Sequence, residues 1–122
     1  MKFLTPLLAL ALLTMSTFAA DGPVRHVVHF KFKAEATPEQ IKKITEEFAA
    51  LKTKISVVES LEWGKNMSAE GLSKGFEYCW IASFKTAQDR DAYLVDPAHK
   101  AFVALLKPVL DEALVVDFIP EK

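Results

Sequence analysis

Apolar and polar residues alternate along positions 24–33. His26, Val28, Phe30 and Phe32 fall on one side, and Arg25, Val27, His29, Lys31 and Lys33 on the other. A period of two predicts a half-buried strand. It places His26 in an apolar row and His29 in a charged row, where a solvated side chain is expected. The period then changes. Thr37, Pro38 and Gln40 supply a capping hydroxyl, a proline at the first helical position and a glutamine placed to complete a capping box. Ile41, Ile44, Phe48, Leu51 and Ile55 follow at helical spacing, giving a helix with one apolar stripe. Positions 57–63 read as a second strand, and positions 64–75 as a polar connection containing three glycines. Strict alternation returns over positions 76–84, with Phe76, Tyr78, Trp80, Ala82 and Phe84 facing one way and Glu77, Cys79, Ile81 and Ser83 the other. Thr86 opens a second helical stretch through Val95, and Asp96 followed by Pro97 restarts it with Phe102, Val103 and Leu106. Pro108 disturbs its far end, and positions 114–119 form a last β-rich run closed by Pro120.

The order is β-α-β-β-α-β. With right-handed crossovers it folds into a ferredoxin-like α+β domain, a four-stranded antiparallel sheet with its helices on one face. The second face of such a sheet is left bare. Apolar residues on it need a cover, and a homodimer that joins two of these faces supplies one.

The first positions carry a different signal. Lys2, an almost unbroken apolar run over positions 3–15, and the small residues Ala19 and Ala20 follow the order of a secretory signal peptide, with cleavage after Ala19 or Ala20. The apolar run is shorter than the roughly 20 residues a membrane-spanning helix needs, so a secreted or periplasmic protein free of the membrane is expected. The domain then occupies positions 20–122, a length for one core and not two. Without Lys2 the chain has 14 basic and 16 acidic side chains, a formal charge of −2. That balance gives no electrostatic footprint for nucleic acid. The lone Cys79 has no partner within the chain for a disulfide and reads as a small core or interface hydrophobe.

Several stretches together resemble a known family: His26 to Lys33 (HVVHFKFK), Trp63 to Ser68 (WGKNMS), positions 75–84, Asp91 to Phe102 (DAYLVDPAHKAF) and Val116 to Phe118 (VDF). The pattern, running from about Val24 to Pro120, is similar to that of stress-responsive A/B barrel (Dabb) domains. Its most specific part is the tyrosine, Asp-Pro-Ala-His and phenylalanine block. The resemblance implies a dimeric α+β barrel in which two sheets pack together with the helices outside. The family includes plant stress-associated proteins and a plant polyketide cyclase type. In the cyclase a tyrosine and a histidine carry an intramolecular aldol closure, and Tyr93 and His99 match them. The histidine that lines the cyclase pocket from strand one matches His26. Asp96 stands where the cyclase pattern has histidine, and Trp80 projects a large ring toward the helices.

The chemistry of these residues admits a proton-transfer pocket. With Pro97 first in its helix, Asp96 caps it and His99 lies in the first turn, where the helix dipole disfavours imidazolium and the Asp96 charge favours it. A neutral His99 serves as general base, Tyr93 as hydrogen-bond donor to a forming oxyanion, and His26 lines the sheet side. Val28, Phe30, Phe48, Trp80 and Leu94 are the expected apolar lining for a small apolar or aromatic ligand. A plainer reading makes His99 a partner of Asp96, and Tyr93 and His26 core residues satisfied locally. The sequence thus supports a homodimeric binder of a small apolar or aromatic molecule, with two alternatives: a cyclase or isomerase, and a purely structural stress protein. No cofactor or metal is expected, because there is no His-x-x-x-His or paired-cysteine spacing and no glycine-rich phosphate loop.

Overall fold

The computed structural model describes residues 22–122; the signal sequence expected over positions 1–19 lies outside them. The order is β1 (Val24–Phe32), α1 (Pro38–Lys54), β2 (Ser60–Lys65), β3 (Tyr78–Phe84), α2 (Ala87–Val95), α3 (Pro97–Leu106) and β4 (Leu110–Phe118). The four strands form one antiparallel sheet in the order β2-β3-β1-β4. This is the ferredoxin-like arrangement, with its second helical stretch divided into two helices where the sequence restarts it. The break falls at Asp96, which ends α2 and caps α3: its Oδ1 accepts from the Ala98 amide at 2.8 Å while Pro97 starts the new helix. Thr37 begins α1 with the full capping box, its Oγ1 accepting from Gln40 N at 3.1 Å and Gln40 Oε1 accepting from Thr37 N at 2.8 Å. Thr86 caps α2 by one bond only, its Oγ1 accepting from the Asp89 amide at 3.0 Å.

Strand boundaries differ from the sequence expectation in three places. Strand β2 begins at Ser60 because Val58, buried with Ile55, closes a turn onto the Ile55 carbonyl before the ladder starts at Glu59. Strand β3 begins at Tyr78 because Phe76 donates to the Ser73 carbonyl across a turn through Gly75, whose φ is +86°. Strand β4 begins at Leu110, four residues early, and its charged first half is held by Lys31 Nζ donating to Glu112 Oε1 at 2.9 Å.

Alternation divides the sheet. Val24, His26, Val28 and Phe30 of β1 and Trp80, Ala82 and Phe84 of β3 are buried against the helices, where Ile44, Phe48, Leu51, Tyr93, Phe102 and Leu106 complete the core. The other face has no helix. Across it the strand register lines up Ile81, Val27 and Val116, with Cys79, His29 and Leu114 as the next row. Ile81, Leu114, Val116 and Phe118 are exposed. His29 departs from expectation: it is half-buried, its ring edge meets Phe76 at 6.4 Å, and Nδ1 is buried with no hydrogen-bond partner among the described residues. The cause is the connection after β2, which brings Phe76 back over that end of the bare face.

Candidate functional site

The helix-facing rows bring His26, Tyr93 and His99 together. His26 reaches the helix layer from the middle of the sheet, opposite Ala82 on one side and Asp117 on the other. Tyr93 comes from the last turn of α2 and His99 from the first turn of α3, so the Asp96 break between the helices sets them side by side. Their ring centroids lie 4.5 Å apart, and His26 is 5.8 Å from Tyr93. Phe84 closes a third side of Tyr93 at 5.0 Å.

Two members were not singled out in the sequence. Asp117 Oδ1 lies 2.7 Å from His26 Nδ1, and Arg90 Nη1 donates to Asp117 Oδ2 at 2.6 Å. A carboxylate accepts, so the Nδ1 of His26 bears the proton and the ring is fixed in one orientation. Arg90 also donates through Nε to Asp91 at 2.9 Å. The hydrogen bonds to Asp117 and then to Asp91 raise the Arg90 pKa further, and the guanidinium offsets the charge that Asp117 brings to the edge of the core.

His99 is not the partner of Asp96 that the plainer sequence reading makes it. Asp96 spends its side chain on the helix cap, and His99 Nδ1 lies 3.2 Å from the Leu94 carbonyl. Carbonyl oxygens only accept, so Nδ1 bears the proton and Nε2 keeps its lone pair. Burial is the largest influence on the ring and holds its pKa below the ordinary 6.5; the His26 charge acts the same way, while the Leu94 bond and Asp96 oppose it. Burial also pushes the Tyr93 phenol well above its ordinary 10.0, so it remains a donor throughout the neutral range.

The His99 shift has a consequence for stability. As pH falls below 6.5, the unfolded chain takes up a proton at position 99 before the folded chain does, so stability is full above that pH and declines below it. His99→Gln is expected to lose less melting temperature than the parent between pH 7 and pH 5. Thermal melts at the two pH values measure this, and an equal loss would remove His99 as a contributor.

The expected lining residues fall into two groups. Val28, Phe30, Phe48 and Trp80 are packed on each other, with Phe48 stacked on Trp80 at 4.1 Å and Phe30 5.7 Å from Phe48. Leu94 lies on the outer side of α2, more than a third exposed. A ligand beside Tyr93 would therefore approach past Leu94 and the half-buried His99. No group of three or more His, Cys, Asp or Glu side chains among the described residues is placed to hold a metal.

The geometry can be compared with known proteins. The stress responsive A/B barrel domain model matches residues 24–120. A stress-response A/B barrel domain-containing protein, HS1, from Arabidopsis thaliana is 33% identical over 101 residues, covering 83% of this chain and 93% of that protein. Olivetolic acid cyclase from Cannabis sativa is 24% identical over 99 residues, covering 81% and 98%. A crystal structure of a dimeric ferredoxin-like protein of unknown function from Thermobifida fusca superposes with a TM-score of 0.71 at 20% identity, covering 82% of this chain and 92% of that one. With nearly all of the described fold matched by one domain model and a third of its residues shared with HS1, the chain belongs to the stress-responsive A/B barrel (Dabb) domain family.

Proposed function

We propose that the chain is exported, pairs with a second copy through its bare sheet face, and binds a small apolar or aromatic molecule between sheet and helices beside Tyr93 and His99. The observation that carries the binding reading is the set of polar groups built into an otherwise apolar layer. A core needs no histidine at position 26, and keeping one there has required Asp117 to orient it and Arg90 to balance Asp117. Such an array fixes His26 as a directed polar contact among the apolar surfaces of Phe84 and Tyr93, the combination that small-molecule sites use. Homodimerisation is supported by the exposed apolar rows and by the dimeric state of the Thermobifida protein. Export is supported by the order of charge, apolar run and small residues over positions 1–20.

A second reading is favoured by one observation, the Leu94 contact that leaves Nε2 of a neutral His99 free to accept a proton. Tyr93, still protonated, then donates to a developing enolate oxygen. This is a proton transfer beside a carbonyl, the chemistry of a cyclase or isomerase, and one relative is named as a cyclase.

One experiment tests both. Protein recovered after export, beginning at Ala20 or Asp21, is screened by thermal shift against hydrophobic acids, phenolics and β-polyketones. At least one compound should give a saturable stabilisation that His26→Ala or Tyr93→Phe reduces about tenfold in apparent affinity, near 1.4 kcal/mol. Turnover of a bound carbonyl compound that falls in both His99→Ala and Tyr93→Phe would establish the enzyme. A screen without a hit leaves a structural dimer.

A further inference from the structure

At the far end of the helix layer lies a cleft of about 610 Å³ that the Tyr93 cluster does not use. It is lined by the start of α1, with Ile41, Lys42 and Glu46, by Trp63 and Lys65 of β2, and by Tyr78 of β3. Tyr78 and Phe84 mark the two ends of β3 and are six residues apart, about 20 Å of strand. Trp80, fully buried and stacked on Phe48, stands between them. The cleft is therefore a separate place from the Tyr93 cluster.

Its chemistry is specific. Trp63 rests one face on Trp80, with centroids 4.8 Å apart and planes 19° apart, and keeps 41% of its surface exposed. Tyr78 lies within 21° of the Trp63 plane, so two rings form an aromatic wall. Ile41 adds an apolar contact from α1. Lys65, whose Nζ is 5.8 Å from the Tyr78 centroid, has no carboxylate partner among the described residues. Lys42 is only loosely paired, its Nζ 3.8 Å from Glu46 Oε2 and its side chain 75% exposed. Two lysines against one glutamate leave the cleft net positive. An exposed indole face beside an unpaired ammonium group matches a ligand with a flat ring and a negative end.

We propose that this cleft binds a flat aromatic carboxylate, its ring laid on Trp63 and its carboxylate against Lys65, with Lys42 as the second cation. The ring buries the open indole face. The carboxylate gives Lys65 the counter-charge it lacks, which sets an acid apart from a neutral compound of the same shape.

The test uses 1-naphthoate as probe and the full mature protein. Affinity is read by calorimetry, and location by the two indole N–H resonances of Trp63 and Trp80. Saturable binding should shift the Trp63 resonance. Lys65→Glu, a surface change that leaves the fold intact by circular dichroism, and the neutral probe 1-naphthalenemethanol should each weaken binding about tenfold or more. Trp63→Leu should do the same from the aromatic side. His99→Ala should leave the affinity within about twofold, because the Tyr93 cluster is a different site. Binding that never saturates, an alcohol that binds as well as the acid, or indifference to Lys65→Glu would each overturn the proposal. Loss on His99→Ala would place the acid at the Tyr93 cluster instead, and would overturn it too.

Discussion

Trp80→Ala is expected to lower the stability of the fold by about 3–5 kcal/mol, the range for deleting a buried large aromatic and leaving a cavity. The whole stability of a domain this size is about 5–15 kcal/mol, so this one change consumes a large part of it. The ring is fully buried and lies between Phe48 at 4.1 Å and Trp63 at 4.8 Å, so no neighbour can collapse into its place without breaking a stack. Trp80→Phe should behave differently. Its Nε1–H is buried without a hydrogen-bond partner among the described residues, and an orphaned donor costs about 1–3 kcal/mol. Phenylalanine gives up indole volume but also removes that cost, so a net loss under about 1.5 kcal/mol is expected, the two effects largely cancelling. Denaturant midpoints at one fixed protein concentration measure both, since stability coupled to assembly depends on concentration. If Trp80→Ala cost less than Trp80→Phe, the stack would not be what holds the helix layer to the sheet.

The parts of this fold that were readable in the sequence are those specified by neighbours in the chain. Thr37 with Gln40, Thr86 with Asp89 and Asp96 with Pro97 announce helix starts because a cap is made within three residues. Strands β1 and β3 were readable because each buries one face only. Strand β4 was readable in its second half. Its first half contains Asp111 and Glu112, and their strand conformation depends on the β1 ladder and Lys31, a partner 81 residues away from Glu112. Asp117 was hidden for a related reason. It alternates with Leu114, Val116 and Phe118, but the residues on both sides of it are apolar, so periodicity does not say which row meets the helices. Only the register, which puts Asp117 opposite His26 across 91 residues, makes it part of the site, and Arg90 then follows from α2. The pairing of Tyr93 with His99 came from the family resemblance. What the sequence did not contain was the filling of the layer beside them, because the Phe48–Trp80 stack depends on how α1 crosses the sheet.

Val116→Asp is expected to break the proposed homodimer into monomers. Val116 lies on the bare face of the edge strand β4, in line with Val27 on the neighbouring β1 and with Ile81 on β3 beyond it, and is half exposed in the single chain. Two such faces packed about a twofold axis bury this position once from each copy. A carboxylate placed there is taken out of water without a partner, at a cost of several kcal/mol per ion. At about 3 kcal/mol from each copy the dissociation constant rises roughly 10⁴-fold, enough to carry a nanomolar dimer into the micromolar range and beyond. The fold of each copy should survive, since position 116 points away from the helix layer and the core residues Val28, Phe30 and Trp80 lie on the opposite face. Ala104→Asp adds the same charge to the exposed side of α3 and should leave the dimer unchanged, separating a local effect from one of net charge. Sedimentation equilibrium across a hundredfold range of concentration, with circular dichroism as the check on folding, reads both. A parent chain that sediments as a monomer, or a Val116→Asp variant that stays dimeric, would mean that the rows of Ile81, Val27 and Val116 are not the surface on which two copies meet.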